Sequence, residues 1–348
     1  MNLTRLTSSS LVVAFSVALA ACGGGGGSSE PVASTAGTPP AAVVVVSASG
    51  SLNAAAAAPS YAASSVHASA FAKLNELRKA AGAGELEQVA TLDVAAGAHA
   101  SYLSINQTVS HDQDASRTGF YAATPGARAT KAGYTGLAVG EDIGGTGASR
   151  SGADCSLGLL NTVYHADSLL YVWNDVGVGV ALDAAGFPMC VFNTGLKTTY
   201  GQVRPAGSVM AYPYAGQTGV EGTFYIGYEV PRPLPSEITS LTAGSPVLVS
   251  IKNTDFENLK AAGTLDAHLT KFELRDAGGN LVPAVVMVGP KVQAAAGIAV
   301  VQDPMLNEGS VVLVPRAALS PATAYGVTLS ATLNAATSVS KTWTFSTR

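Results

Sequence analysis

The chain changes its hydrophobic period once, and that change limits what it can become. From residue 61 to about residue 171, apolar positions recur at helical spacing; from residue 175 onward they alternate or come in short blocks. In "SSVHASAFAKLNELRKAAGAG", Val66, Ala70, Leu74 and Leu77 share one stripe, with Ser64 or Ser65 as cap and Gly82 or Gly84 as stop. A second stripe joins Leu92, Ala95, Ala96, His99 and Leu103, with Tyr102 alongside. A third helix is expected in "TPGARATKAG", capped by Thr124 with Pro125 as its first helical residue. A fourth is expected to cover residues 156–171, "SLGLLNTVYHADSLLY".

Strand signals follow. "DVGVGVALD" alternates Val176, Val178 and Val180 with glycine, which suits a sheet covered closely on one side. "FPMCVFNTG" pairs with it through a turn at "DAAG". Helices followed by a short sheet predict an α+β domain over residues 61–205. The proline- and glycine-rich "RPAGSVMAYPYAGQTGVEG" then marks a boundary. Beyond it come "TFYIGYEV", "PVLVSIKN", "HLTKFELRD", "NLVPAVVMVG", "IAVVQD", "SVVLVPR", "YGVTLSATL" and "KTWTFSTR". Short strands at such regular spacing predict an Ig-like all-β sandwich over residues 208–348.

The N-terminus reads as an export signal. A single basic residue, Arg5, precedes the short apolar run "LVVAFSVALA", which is too short to span a bilayer. Leu19-Ala20-Ala21-Cys22 resembles a bacterial lipobox, so residues 1–21 are expected to be a lipoprotein signal peptide and Cys22 the lipidated residue. Gly23, in place of an aspartate, favours an outer-membrane anchor, periplasmic or surface-exposed. Residues 22–60 are rich in Gly, Ser, Ala and Pro and read as a flexible tether. Export places Cys155 and Cys190 in an oxidising compartment. Pairing them would close a loop of roughly 35 residues and stabilise the fold by ~3–4 kcal/mol in the chain-entropy model; two inert buried thiols are the alternative. Charged residues are only 12% of the chain and the formal net charge is −4, so no basic surface recommends nucleic acid.

Among five histidines, His268 and His67 read as structural or surface residues. His99 lies on an apolar helix stripe and reads as a satisfied buried side chain. His111 follows the second helix and His165 sits in the fourth. Glu141, in "AVGEDIG", has apolar neighbours that draw it inward, where an unpaired carboxylate is costly. Two imidazoles supply either N–H donors or ring nitrogens for zinc. His111, Glu141 and His165 therefore form either a three-ligand metal set with room for water or a hydrogen-bonded polar cluster without metal. HExxH, paired CxxC, P-loop and GxSxG motifs are absent from the sequence.

From Phe71 to Phe192 the chain resembles the CAP superfamily (cysteine-rich secretory proteins, antigen 5 and plant pathogenesis-related proteins), in its bacterial, SCP-like extracellular branch. The matching pieces are "FAKLNELRKAAGAGELE", "LDVAAGAHASYLSIN", "SHDQ", "GARATKAGY", "VGEDI" and "VYHADSLLYVWNDVGVGVA". The resemblance implies a CAP-type α-β-α sandwich with a central cleft lined by two histidines and two acids. His111, Glu141 and His165 occupy three of those positions. The second acid does not transfer: the corresponding segment, "SRSGADCSLGLLNT", offers only Asp154. Asp142 stands where the family has asparagine. The tail resembles the Ig-like modules of bacterial surface proteins.

Three functions follow in order. The first is a lipid-anchored protein binding a lipid, sterol or peptide in the cleft. The second is a zinc-dependent hydrolase of peptide or envelope substrate, lacking its second acid. The third is an adhesive or scaffolding lipoprotein.

Overall fold

Local capping sets the first elements of the computed structural model, which describes residues 51–144, 151–234 and 236–348. The signal segment, Cys22 and the tether up to residue 50 lie outside the described residues. Helix α1 (Val66–Ala81) starts where the Ser65 hydroxyl accepts from the Ala68 N–H, and stops at Gly82, whose φ of 88° suits glycine. Strand β1 (Glu87–Gln88) and helix α2 (Ala90–Asn106) follow. Helix α3 (Pro125–Lys131) begins with proline after the Thr124 cap. Then come β2 (Ala138–Gly144), α4 (Gly152–Leu160), α5 (Tyr164–Leu169), β3 (Asp175–Leu182) and β4 (Pro188–Leu196).

The strands form one sheet in the order β1-β3-β4-β2. The β3–β4 hairpin turns at Asp183–Gly186, and β2 runs antiparallel to β4 on its other side. Strand β2 has no clear strand signal of its own in the sequence: its seven residues include two glycines and two acids, and it becomes a strand through its ladder with β4. Helices cover both faces. On one, Met189 and Val191 pack with Ala96, Ala100 and Leu103 of α2. On the other, Val176, Val178, Cys190 and Phe192 pack with Phe71 and Leu74 of α1 and Leu159 of α4. The glycines of β3 explain the close approach of α2. A Cβ on Gly177 would lie 2.1 Å from the Leu92 carbonyl carbon, and one on Gly179 would lie 2.2 Å from the Ala96 carbonyl. A Cys155–Cys190 disulfide ties α4 to β4.

The single helix expected over residues 156–171 is in fact two. Helix α4 ends at Leu160, where the Thr162 hydroxyl donates to the Leu159 carbonyl, and α5 starts afresh at Tyr164. Helical spacing of the apolar residues continues across the break, which hides it in the sequence.

The remaining chain forms β5 (Met210–Tyr212), β6 (Phe224–Tyr225), β7 (Thr242–Ala243), β8 (Val247–Ser250), helix α6 (Thr254–Ala261), β9 (Ala267–Arg275), β10 (Ala284–Val288), β11 (Gln293–Ala294), β12 (Val301–Gln302), β13 (Ser310–Pro315), β14 (Ala324–Leu333) and β15 (Thr337–Ser346). Helix α6, capped by Asn253, interrupts a region whose sequence pattern is all-β. With it, the chain as a whole is α+β. A five-stranded sheet, β12-β10-β13-β8-β5, faces a four-stranded sheet, β11-β9-β14-β15. Val311 and Leu313 of β13 pack between these sheets with Leu274, Val327 and Phe345. Their neighbours Val312 and Val314 point the other way, into the cluster that holds Leu160, Val163, Ala166 and Leu169. The five-stranded sheet is thus buried on both faces, which requires apolar residues at consecutive positions, as in "SVVLVP". The helices carrying His165 and the C-terminal strands share one core.

Replacing Gly179 by alanine forces a methyl group into the α2 backbone. We expect a loss of about 3 kcal/mol or more, read as a lower denaturation midpoint at unchanged m-value; an unchanged midpoint would show that α2 can move off the sheet.

Candidate functional site

Glu141 is held at the centre of a built polar cluster. Its place on β2 sets it opposite Asn193 of β4, and the Asn193 amide donates to Oε2 at 3.0 Å. Arg128 of α3, fully buried, donates from Nη2 to Oε1 at 2.8 Å and to Oε2 at 2.7 Å. The same nitrogen donates to the His111 carbonyl at 2.9 Å, fixing the loop that brings His111 in. His111 Nδ1 lies 3.1 Å from Glu141 Oε1. With an acceptor-only carboxylate as partner, Nδ1 carries the proton and Nε2 the lone pair of the neutral ring.

A third imidazole stands behind this pair. His99, on the buried face of α2, donates from Nε2 to the Ser110 carbonyl at 2.8 Å and accepts at Nδ1 from the Gln113 amide at 3.0 Å. Its Nε2 is 3.4 Å from Glu141 Oε1. It is a satisfied core histidine, yet it adjoins the site, and burial holds its pKa below the usual histidine value. Burial works against ionisation of Glu141, but His111, His99 and Arg128 together outweigh it and hold its pKa below the usual carboxylate range.

His165 is the second residue of α5, and its partner comes from far along the chain. Val163 precedes α5 without a capping side chain. The Glu229 carboxylate fills that role, accepting from the backbone N–H of Val163 at 3.0 Å, Tyr164 at 2.5 Å and His165 at 3.2 Å. His165 Nδ1 lies 3.3 Å from Glu229 Oε1 and 3.1 Å from the Thr162 hydroxyl. That hydroxyl already donates to Leu159, so it accepts from Nδ1, and the proton again sits on Nδ1. Burial lowers the His165 pKa, but Glu229 and Asp142 outweigh it and the net shift is upward.

Helix α5 is clasped elsewhere too. Buried Asp167 accepts from the Asn307 N–H at 2.6 Å and from the Ser310 hydroxyl. Tyr164 donates its hydroxyl proton to Asp303 at 2.8 Å. Arg78 of α1, also buried, donates to the Leu169 and Tyr171 carbonyls at its far end.

His111, Glu141, Asp142, His165 and Glu229 line one cleft of about 590 Å³, walled also by Val109, Ile143, Val230 and Met305. Asp142 is buried and accepts from the Ser168 hydroxyl at 2.9 Å. Burial outweighs the neighbouring histidines and pushes its pKa up to about 6. Asp154, the weaker acidic candidate of the sequence analysis, lies outside this cleft lining: its carboxylate accepts from the Ser151 N–H and hydroxyl in a capping box at the start of α4. The His67 ring lies tilted against Tyr61, with centroids 5.7 Å apart, and His268 lies 2.7 Å from Asp266.

These residues do not fit a three-ligand zinc site. Two of the three carboxylates are spent, Glu141 on Arg128, His111 and Asn193, and Glu229 on three backbone N–H groups and His165. Among the described residues no three His, Cys, Asp or Glu side chains gather closely enough to hold a metal ion. The arrangement is instead two carboxylate–imidazole pairs facing one hollow. Sequence reasoning misses Glu229, which lies in a run with strand character, and gives Arg128 no role. An isolated arginine in an alanine-rich helix, and an isolated acid in "GYEVPRP", are the signals that carry them in a chain so poor in charge.

No family model matches the chain, and no curated protein matches it. Among solved structures it is similar to an extracellular protein containing an SCP domain from Bacillus anthracis str. Ames, at 22% identity over 38% of this chain with a TM-score of 0.31. The match spans 40% of the length of that protein. It is also similar to an outer surface protein from Borrelia burgdorferi, at 19% identity over 40% of this chain and 97% of that one, with a TM-score of 0.33. Among the described residues no helix is long and apolar enough to cross a membrane.

Asp142 supplies a stability test. A carboxyl whose folded pKa stands above its unfolded value of 3.8 binds more protons when folded, so it costs stability as pH rises from about 4 to 6 and keeps that cost above 6. Asp142→Asn removes the cost. We expect it to stabilise the protein at pH 7 by up to about 3 kcal/mol, a gain that vanishes below about pH 4; denaturation at both pH values measures it, and a destabilised variant at pH 7 would refute the burial cost.

Proposed function

We propose that this is an exported CAP-type protein, anchored through a lipid on Cys22, that binds a small apolar ligand or short peptide in the cleft of His111, Glu141 and His165. On this reading the first half is a CAP domain of the SCP-like branch and the second an Ig-like module that also walls the cleft. The observation that carries it is the cleft itself: four hydrogen-bonding groups held in fixed orientation, rimmed by Val109, Val230 and Met305, which remain 63%, 95% and 56% exposed. Apolar walls with a few convergent polar groups are the usual make-up of a small-molecule site. The export signal and lipobox read in the sequence support a location at the cell envelope, in reach of membrane components. Hydrolysis by bound zinc ranks lower, because every oxygen of Glu141 and Glu229 is engaged and, among the described residues, no three ligand side chains gather closely enough to hold a metal ion.

Protein stripped of bound lipid, incubated with envelope lipid extract and repurified should retain discrete apolar species detectable by mass spectrometry. Val230→Asp, at a position too exposed to matter for folding, should cut that retention several-fold. Recovery of nothing from the wild-type protein would overturn the binding reading.

A further inference from the structure

The charges that line the cleft are unevenly matched, and Asp142 is the one left over. Three carboxylates line the cleft, Glu141, Asp142 and Glu229, and among the described residues no lysine or arginine does. Two of the three are matched: Glu141 by Arg128, and Glu229 by His165 and the start of α5. Asp142 is not. Among the described residues no ion pair reaches it and no donor reaches its Oδ1; Ser168 alone donates, to Oδ2. A carboxylate left 2% exposed with so little compensation weakens the fold, and groups kept at such a cost cluster at functional sites.

The other polar atoms point the same way. His111 and His165 each have Nδ1 turned to a carboxylate, which leaves Nε2 as a lone-pair acceptor when the ring is neutral. The cleft therefore offers acceptors and surplus negative charge. A carboxylate or phosphate head would meet both unfavourably, whereas a group with positive charge and several N–H donors would satisfy them. The walls add the second requirement. Val109, Val230 and Met305 present exposed hydrocarbon at the mouth. Val109 also borders a second groove of about 290 Å³, formed with Leu103, Ala184 and Met189 between the end of α2 and the β3–β4 turn. A chain leaving the cleft over Val109 has apolar surface to follow.

We propose that the ligand carries a primary ammonium group on an apolar chain, with the ammonium on Asp142 and the chain over Val109. This rests on the cleft being a binding site, as argued above, and adds the class of molecule it takes.

The test is calorimetry on the full chain at neutral pH with three probes of equal length: decylammonium, decanol and decanoate. Decylammonium should bind at least about tenfold more tightly than decanoate, with decanol between them. Asp142→Asn, which is expected to fold more stably than the parent, should erase the preference for decylammonium and leave decanol affinity within about twofold. Equal binding of all three, or a preference that survives Asp142→Asn, overturns the proposal while leaving the apolar site standing. Failure of all three to bind overturns the site and the proposal together.

Discussion

A single carboxylate at the start of a six-residue helix holds the cleft together. Helix α5 is too short to be stable alone, and its own sequence supplies no cap. Glu229 supplies it from beyond the first sheet, taking three backbone N–H groups and the Nδ1 side of His165 at once. The α5 terminus, the histidine and the loop of Glu229 are thereby fixed by one charge. The rest of the junction supports that contact: Asp167 on Asn307 and Ser310, Tyr164 on Asp303, and the doubly buried strand β13 beneath. The C-terminal strands therefore do more than hold the first sheet at a distance; they furnish one wall of the cleft.

The electrostatics of the cleft follow a plain rule with one exception. Each buried charge is matched locally, by guanidinium, imidazole or backbone N–H, so that the polar centre costs little to bury. Arg128 joins the Glu141 side chain to the His111 backbone, so that the pair arrives already oriented. Asp142 breaks the rule. It sits between the two pairs, on the same strand as Glu141, and its single hydroxyl partner does not offset its desolvation. The exception is informative because the remainder is so well balanced.

Local chemistry is legible in the sequence, and long-range chemistry is not. Ser65, Gly82, Thr124 and Pro125 announce helix ends through their own backbone preferences, and the structure ends its helices there. The glycine–valine alternation in β3 announces a helix lying close on one face, and α2 lies there. The cysteine pair follows from compartment and number. By contrast, the break between α4 and α5 leaves the apolar spacing undisturbed, so periodicity passes over it. Strand β2 depends on β4 for its pairing. Glu229 stands 64 positions after His165 in a run that reads as strand, and only Phe224–Tyr225 of that run pairs before the chain turns through Ile226–Tyr228. The need of Glu141 for a donor is readable; that Arg128 meets it depends on α3 packing against β2.

The central claim, that Glu229 orients His165 and raises its pKa across the junction, is tested most directly by nitrogen-15 NMR of the histidine rings through a pH titration, in the parent and in Glu229→Gln. In the parent, His165 should titrate above an ordinary histidine, with Nδ1 protonated in the neutral form. In the variant its pKa should fall and the tautomer preference should weaken. An identical titration and tautomer in both proteins would contradict the account.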